Sequence, residues 1–167
     1  AAQAAPAQTS LNQVALLLIF WEPLLALGLL GAAGLSDLLG QSAVLLLNRV
    51  SPRRFLICLS GGALLFVASA LTWALGLFLL AWIFRLELSL LRCLYLVAYA
   101  HVPQLAGIFV FLPHFGAYLF HLIRAWVFFD LVVGVGWTTG CSLPVAILCA
   151  LPGWALHFNL THLGWAR

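Results

Sequence analysis

The sequence predicts an all-α fold: a polytopic transmembrane helical bundle of about five spans. Three observations carry this. Of the 167 residues, 65% are hydrophobic and only 7% are charged, against about 25% charged in a soluble domain. So few polar side chains cannot cover a water-facing globule. The apolar residues also come in continuous runs such as Gly76–Phe84, not in the period-two alternation of a membrane barrel strand. Finally, a chain in lipid must satisfy its backbone polar groups internally, and continuous apolar runs do so as helices.

Residues 1–13 are small, polar and uncharged and lack the basic start of a secretory signal. They read as a flexible leader, ahead of a single transmembrane domain over 14–167. The first span is expected at Val14–Leu35, although Glu22 and Pro23 interrupt it. A second arrangement lays residues 11–21 on the membrane surface. It opens the span at Pro23, a first-turn proline whose missing N–H costs nothing, and carries it into "SDLLGQSAVLLL". "NRVSPRRF", Asn48–Phe55, holds three arginines and a proline and predicts an interfacial loop. The second span is expected at 55–84, long enough to tilt. The charged link "RLELSLLR" leads to a third at 88–112 and a fourth at 115–136. "WTTGCSLP" then turns the chain, and Pro144 opens a fifth at 144–163. The links are short, so neighbouring helices should pack antiparallel. With five spans, Arg49, Arg53, Arg54 and Arg167 share one side, while Arg85 and Arg92 lie on the other. Short cytoplasmic loops collect arginine, which predicts a cytoplasmic C-terminus.

Composition excludes several functions. No lysine is present and no basic run or basic amphipathic helix occurs, so no nucleic-acid partner is expected. Cys58, Cys93, Cys141 and Cys149 show no CxxC spacing and read as structural thiols. There is no GxSxG, HExxH, Walker or Gly-rich dinucleotide motif, and no enzymatic activity is expected. "NLT" at Asn159–Thr161 matches a glycosylation acceptor but falls inside an apolar span, which discounts it.

Arg124 and Asp130 are the costly residues. Each opposes insertion by about 2.5–3.5 kcal/mol at a helix centre, while a leucine returns about half a kcal/mol. Six residues apart, they point to different sides of the helix, whereas His121 and Arg124 at i and i+3 share a face. Each should find a partner off its own helix: for Arg124, a carboxylate, carbonyl or bound head group. His101 and His121 are the deeper histidines. Either could ligate haem or a chlorophyll magnesium through a ring nitrogen, or act as an interhelical hydrogen bonder. No CxxCH motif exists for covalent haem. Small-xxx-small pairs at Ala70–Ala74, Gly136–Gly140 and Ala146–Ala150 would allow close helix contact.

The segment "AYAHVPQLAGIFVFLPHFG" is apolar yet broken. Pro103 removes a backbone donor in mid-helix and predicts a kink, and Tyr99 and His101 stand beside the break, where they can donate or accept. Pro113 and Gly116 then make a turn into the fourth span.

"LYLVAYAHVPQLAGIFVFLPHFG" resembles the central signature of the Yip-domain family of small multi-spanning membrane proteins, in its bacterial form. Tyr99, Ala100, Pro103, Pro113 and Gly116 carry the match, and the similarity extends over about residues 35–150. The resemblance implies a five-helix membrane fold without catalytic residues, and partners among membrane proteins. Two functions follow as expectations. One is a non-enzymatic accessory, assembly or scaffold subunit of a larger membrane complex, such as a photosynthetic or respiratory one, that contacts other integral membrane proteins and lipids. The other is a small-molecule or ion conduit using Arg124, Asp130 and His121. Tyr99, His101, Pro103, His121, Arg124 and Asp130 are the candidate contact residues for partner or ligand.

Overall fold

A computed structural model describes the backbone of residues 5–165 and the side chains of residues 21–156. Of the expected flexible leader, residues 5–13 belong to a helix and residues 1–4 lie outside the described residues, as do the side chains of His157, His162 and Trp165. The described chain is helical, in the order α1 (Ala5–Leu47), α2 (Pro52–Ile83), α3 (Leu90–Ala100), a 3-10 segment (Val102–Phe111), α4 (Gly116–Thr139) and α5 (Leu143–Trp165). Residues 21–47 of α1, all of α2 and all of α4 are each long and apolar enough to cross a membrane. The pair formed by α3 and the 3-10 segment, bent by about 40°, supplies a fourth if it is one span. The protein is therefore a multi-pass membrane helical bundle.

The first span differs from the expected Val14–Leu35. The helix continues unbroken past Leu35 to Leu47, because the polar residues of "SDLLGQS" are not a loop. Ser36 and Asp37 are buried against the rest of the bundle, so the helix has a polar inner stripe instead of an end.

The helix ends follow local chemistry. After α1, the Val50 N–H reaches the Leu45 carbonyl at 3.2 Å and the Arg49 N–H reaches Leu46 at 3.0 Å. This paired closure is a Schellman motif. It repeats after α2, from Leu86 to Ala81 at 2.8 Å and from Arg85 to Trp82 at 3.1 Å. Arg49 and Arg85 therefore hold left-handed φ values of 53° and 55°. Both cations also sit at helix C-termini, where the macrodipole favours them. Pro52 stands in the first turn of α2, Ser89 caps α3 through the Arg92 N–H at 3.3 Å, and Gly140 ends α4 at φ 65°.

The third expected span, 88–112, is not one α-helix. α3 stops at Ala100, and the chain continues as ten residues of 3-10 helix. Such runs rarely exceed three or four residues. Pro103 therefore lies in the first turn of a new segment, not within a continuous kinked helix.

α2 and α5 pack closely through small residues. Ala70, Ala74, Ala146 and Ala150 are all buried there, with Trp73 fully enclosed. The Trp73 indole N–H donates to the Ala150 carbonyl at 3.1 Å, and a Cβ on Gly153 would run into the indole ring. Two of the three expected small-residue pairs thus lie in one contact, while a Cβ added at Gly136 or Gly140 would meet open space. Several hydroxyls within the spans are satisfied by their own helix. Ser42 donates to Leu38 at 2.7 Å and Thr72 to Ala68 at 2.7 Å, as hydrocarbon requires. Large apolar residues, including Leu27, Leu64, Trp82 and Trp137, point outward.

Candidate functional site

The charged and polar side chains of the interior meet where α1, the 3-10 segment and α4 join. On α1, the neighbours Ser36 and Asp37 stand one turn before the neighbours Gly40 and Gln41, so the four share one face. The Ser36 hydroxyl donates to the Leu105 carbonyl at 2.7 Å and accepts from the Ile108 N–H at 3.0 Å. One side chain thus ties α1 to two backbone groups of the 3-10 segment. The backbones come close at this level: a Cβ on Gly40 would strike the Gly107 carbonyl, and one on Gly107 would lie 3.5 Å from the Asp37 Cα. Glycine is needed at Gly40 because the facing atom is backbone and cannot move aside.

Asp37 is 8% exposed and Arg124 is 4% exposed. The Gln41 amide donates to an Asp37 carboxylate oxygen at 2.9 Å, and the Gln104 side chain also bonds that carboxyl. Asp37 on α1 and Arg124 on α4, two helices that each pack on the 3-10 segment, carry opposite charges within electrostatic reach of one another. The Arg124 guanidinium carbon also stands 4.1 Å from the Phe120 ring centroid, one turn earlier, a cation–π geometry. The Arg124 carbonyl accepts from the Trp154 indole at 3.2 Å, which joins α5 to the cluster. Asp37 and Arg124 each lie about 5 Å along the axis from the middle of their span, toward the same membrane face.

His101 is 0% exposed. Its ring Nδ1 bonds the Val97 carbonyl at 2.6 Å. A carbonyl only accepts, so this nitrogen carries the hydrogen. The His101 backbone N–H turns instead to Ala98 at 3.2 Å. The ring thus serves the Val97 carbonyl, whose regular helical donor is diverted where the helix stops. Phe66 and Trp73 close on the ring edge-on, each at 5.7 Å between centroids. A macrocycle ligated by His101 would have to displace one of these rings. His121 is on the outer surface, edge-on to Phe120 at 5.6 Å. It shares an i,i+3 relation with Arg124, but the two side chains have different surroundings. Among the described residues, no group of three or more His, Cys, Asp or Glu converges as a metal site.

Asp130 stands apart from this cluster. It lines a cavity of about 330 Å3 between α3 and α4, with Tyr99 and Trp137. The Trp126 side chain hydrogen-bonds its carboxyl from one turn earlier.

No known protein family, curated protein or solved structure matches the chain.

Of the six candidate residues, His101, Pro103 and Arg124 surround the α3–3-10 junction and its brace, Tyr99 and Asp130 share the groove, and His121 faces outward. Sequence reasoning missed Asp37, Ser36, Gln41 and Gln104. The available signal was an acid and an amide at i and i+4 within an otherwise apolar run, Gly34–Leu47. The arrangement that opens the span at Pro23 and runs it into "SDLLGQSAVLLL" agrees with the span observed at Trp21–Leu47, but it assigned no role to these side chains.

Proposed function

We propose that this chain is a non-enzymatic integral membrane protein of five spans that acts as an accessory, assembly or scaffold subunit of a larger membrane complex. A photosynthetic or respiratory assembly is the type of complex in view, and the membrane-organising role of Yip-domain proteins is the nearest analogy. Its partners are other integral membrane proteins and membrane lipids, and its C-terminus lies on the cytoplasmic side.

One observation supports this most. Asp37 and Arg124, two of the three charges buried or half-buried in the spans among the described residues, both lie inside the bundle with their opposite charges within electrostatic reach. Keeping these charges inside leaves an outer surface of leucine, valine and aromatic side chains. That is the surface of a protein whose work is contact within the bilayer. The conduit alternative would route a solute past Arg124, Asp130 and His121. It has less support, because these three residues face the core, a lateral groove and the outer surface.

The test is gentle solubilisation followed by a native gel, mass spectrometry of the band and an absorption spectrum. Migration within a larger assembly of defined membrane proteins is expected, and co-purified haem or chlorophyll would appear in the spectrum. A homogeneous single-chain species that moves a solute in liposomes would replace this reading with the conduit.

A further inference from the structure

The groove between α3 and α4 has the chemistry of a ligand site. Its walls are apolar, from Leu96 and Val133. Ala100 and Gly134 leave the space, since a Cβ on Gly134 would already lie 3.1 Å from Leu96. Asp130 is the one ionisable acid in the lining, nine residues before the end of α4, about 13 Å below that helix terminus. Tyr99 and Trp137 add two aromatic rings, and Trp137 is 91% exposed.

A carboxylate at this depth calls for a compensating cation or proton. The Trp126 side chain supplies a hydrogen bond but no charge. Arg124 is on another side of the helix, buried inside the bundle with its guanidinium over the Phe120 ring. An ammonium group answers the need: it pairs with the carboxylate and is attracted by the faces of aromatic rings. The volume fits the lower end of the roughly 300–1,000 Å3 typical of small-molecule pockets. It is too short a recess to seat a whole transmembrane helix. We infer that this groove binds a small amine, a molecule with a charged ammonium head and an apolar body, with Asp130 as counter-ion and Tyr99 and Trp137 as aromatic walls. The site does not depend on the scaffold reading, and its test requires no partner protein.

The full chain in dodecylmaltoside is titrated with phenylbutylamine, charged at neutral pH, and with the uncharged phenylbutanol, by calorimetry. Saturable one-to-one binding of the amine is expected, with no saturable binding of the alcohol. Asp130→Asn should weaken the amine by about tenfold or more, and Trp137→Leu by a smaller factor. Adding phosphatidylethanolamine to the micelles separates two sources of the same chemistry: displacement of the probe assigns the site to a lipid head group, and no displacement assigns it to a free amine. Equal binding of amine and alcohol to the unaltered protein would overturn the proposal whatever the variants do, as would equal binding of the amine to the Asn variant. An unaltered protein that ignores the amine but associates with a polyleucine peptide bearing one central lysine would also overturn it, in favour of a docking face for a helix.

Discussion

Asp37 and Arg124 illustrate how a charge survives in hydrocarbon. Each alone opposes insertion, and together they cancel much of that opposition while gaining Gln41, Gln104 and the Phe120 ring as neighbours. Removing one partner leaves the other buried and uncompensated, which typically costs about 3–5 kcal/mol, whereas replacing both by apolar residues is often near neutral. Asp37→Leu should therefore lower stability by that amount, and the double substitution Asp37→Leu with Arg124→Leu should recover most of it. Thermal unfolding in detergent of the two single variants and the double variant checks this. Additive losses would show that the two charges do not interact. From the sequence, Arg124 could be read as needing a carboxylate or carbonyl off its own helix. Which acid lies within reach of it was not readable, because Asp37 is 87 positions away and sequence does not tell which helix faces it.

At the scale of the element, the break after Ala100 combines a proline with two close backbone approaches. The 3-10 segment is held to α1 by Ser36 and by the Gly40–Gly107 contact, and to α4 where Gly116 faces the Val110 carbonyl. A Cβ at Gly116 would collide with that carbonyl, so Gly116→Ala should destabilise the turn by about 1–3 kcal/mol. Gly136→Ala meets open space and should be neutral or slightly stabilising, since alanine is the better helix former. The pair of melting temperatures tests the contrast, and equal losses would contradict it. Pro103→Ala restores a backbone donor and should shift the segment from 3-10 toward α-helix, with little change in insertion. Hydrogen exchange over residues 100–112 would report the gain in protection, and an unchanged pattern would show that the tertiary contacts, not the proline, impose the 3-10 form. Pro103 and Gly116 were legible as breaks. The 3-10 geometry was not, because it arises from the fit between that segment and α1.

For the whole molecule, the arrangement of helix ends predicts a labelling pattern. Single cysteines at residues 48–54 should react from one side of the membrane and those at residues 85–89 from the other, in a cysteine-free background. Inaccessibility of 48–54 from both sides would disprove the topology. Substituting Arg49, Arg53 and Arg54 together by serine should weaken the orientation bias, seen as mixed labelling of the C-terminus. The two Schellman ends should persist after Arg49→Gly, because glycine takes the left-handed conformation without the side-chain penalty.

The sequence by itself determined the solvent, the all-helical class and the approximate position of most helices. Those follow from run length and charge scarcity, which are local properties. The small alanine pairs of α2 and α5 and the turn at Pro113–Gly116 were legible for the same reason. Only the tertiary structure decided that Ser36, Asp37 and Gln41 face the bundle interior, that Arg124 is buried within electrostatic reach of Asp37, that His101 is sealed by Phe66 and Trp73, and that Asp130 opens onto a groove. In a bundle this apolar, nearly every helix face looks alike in sequence. The polar residues take their meaning from which helix lies opposite, and that is set by packing between segments far apart in the chain.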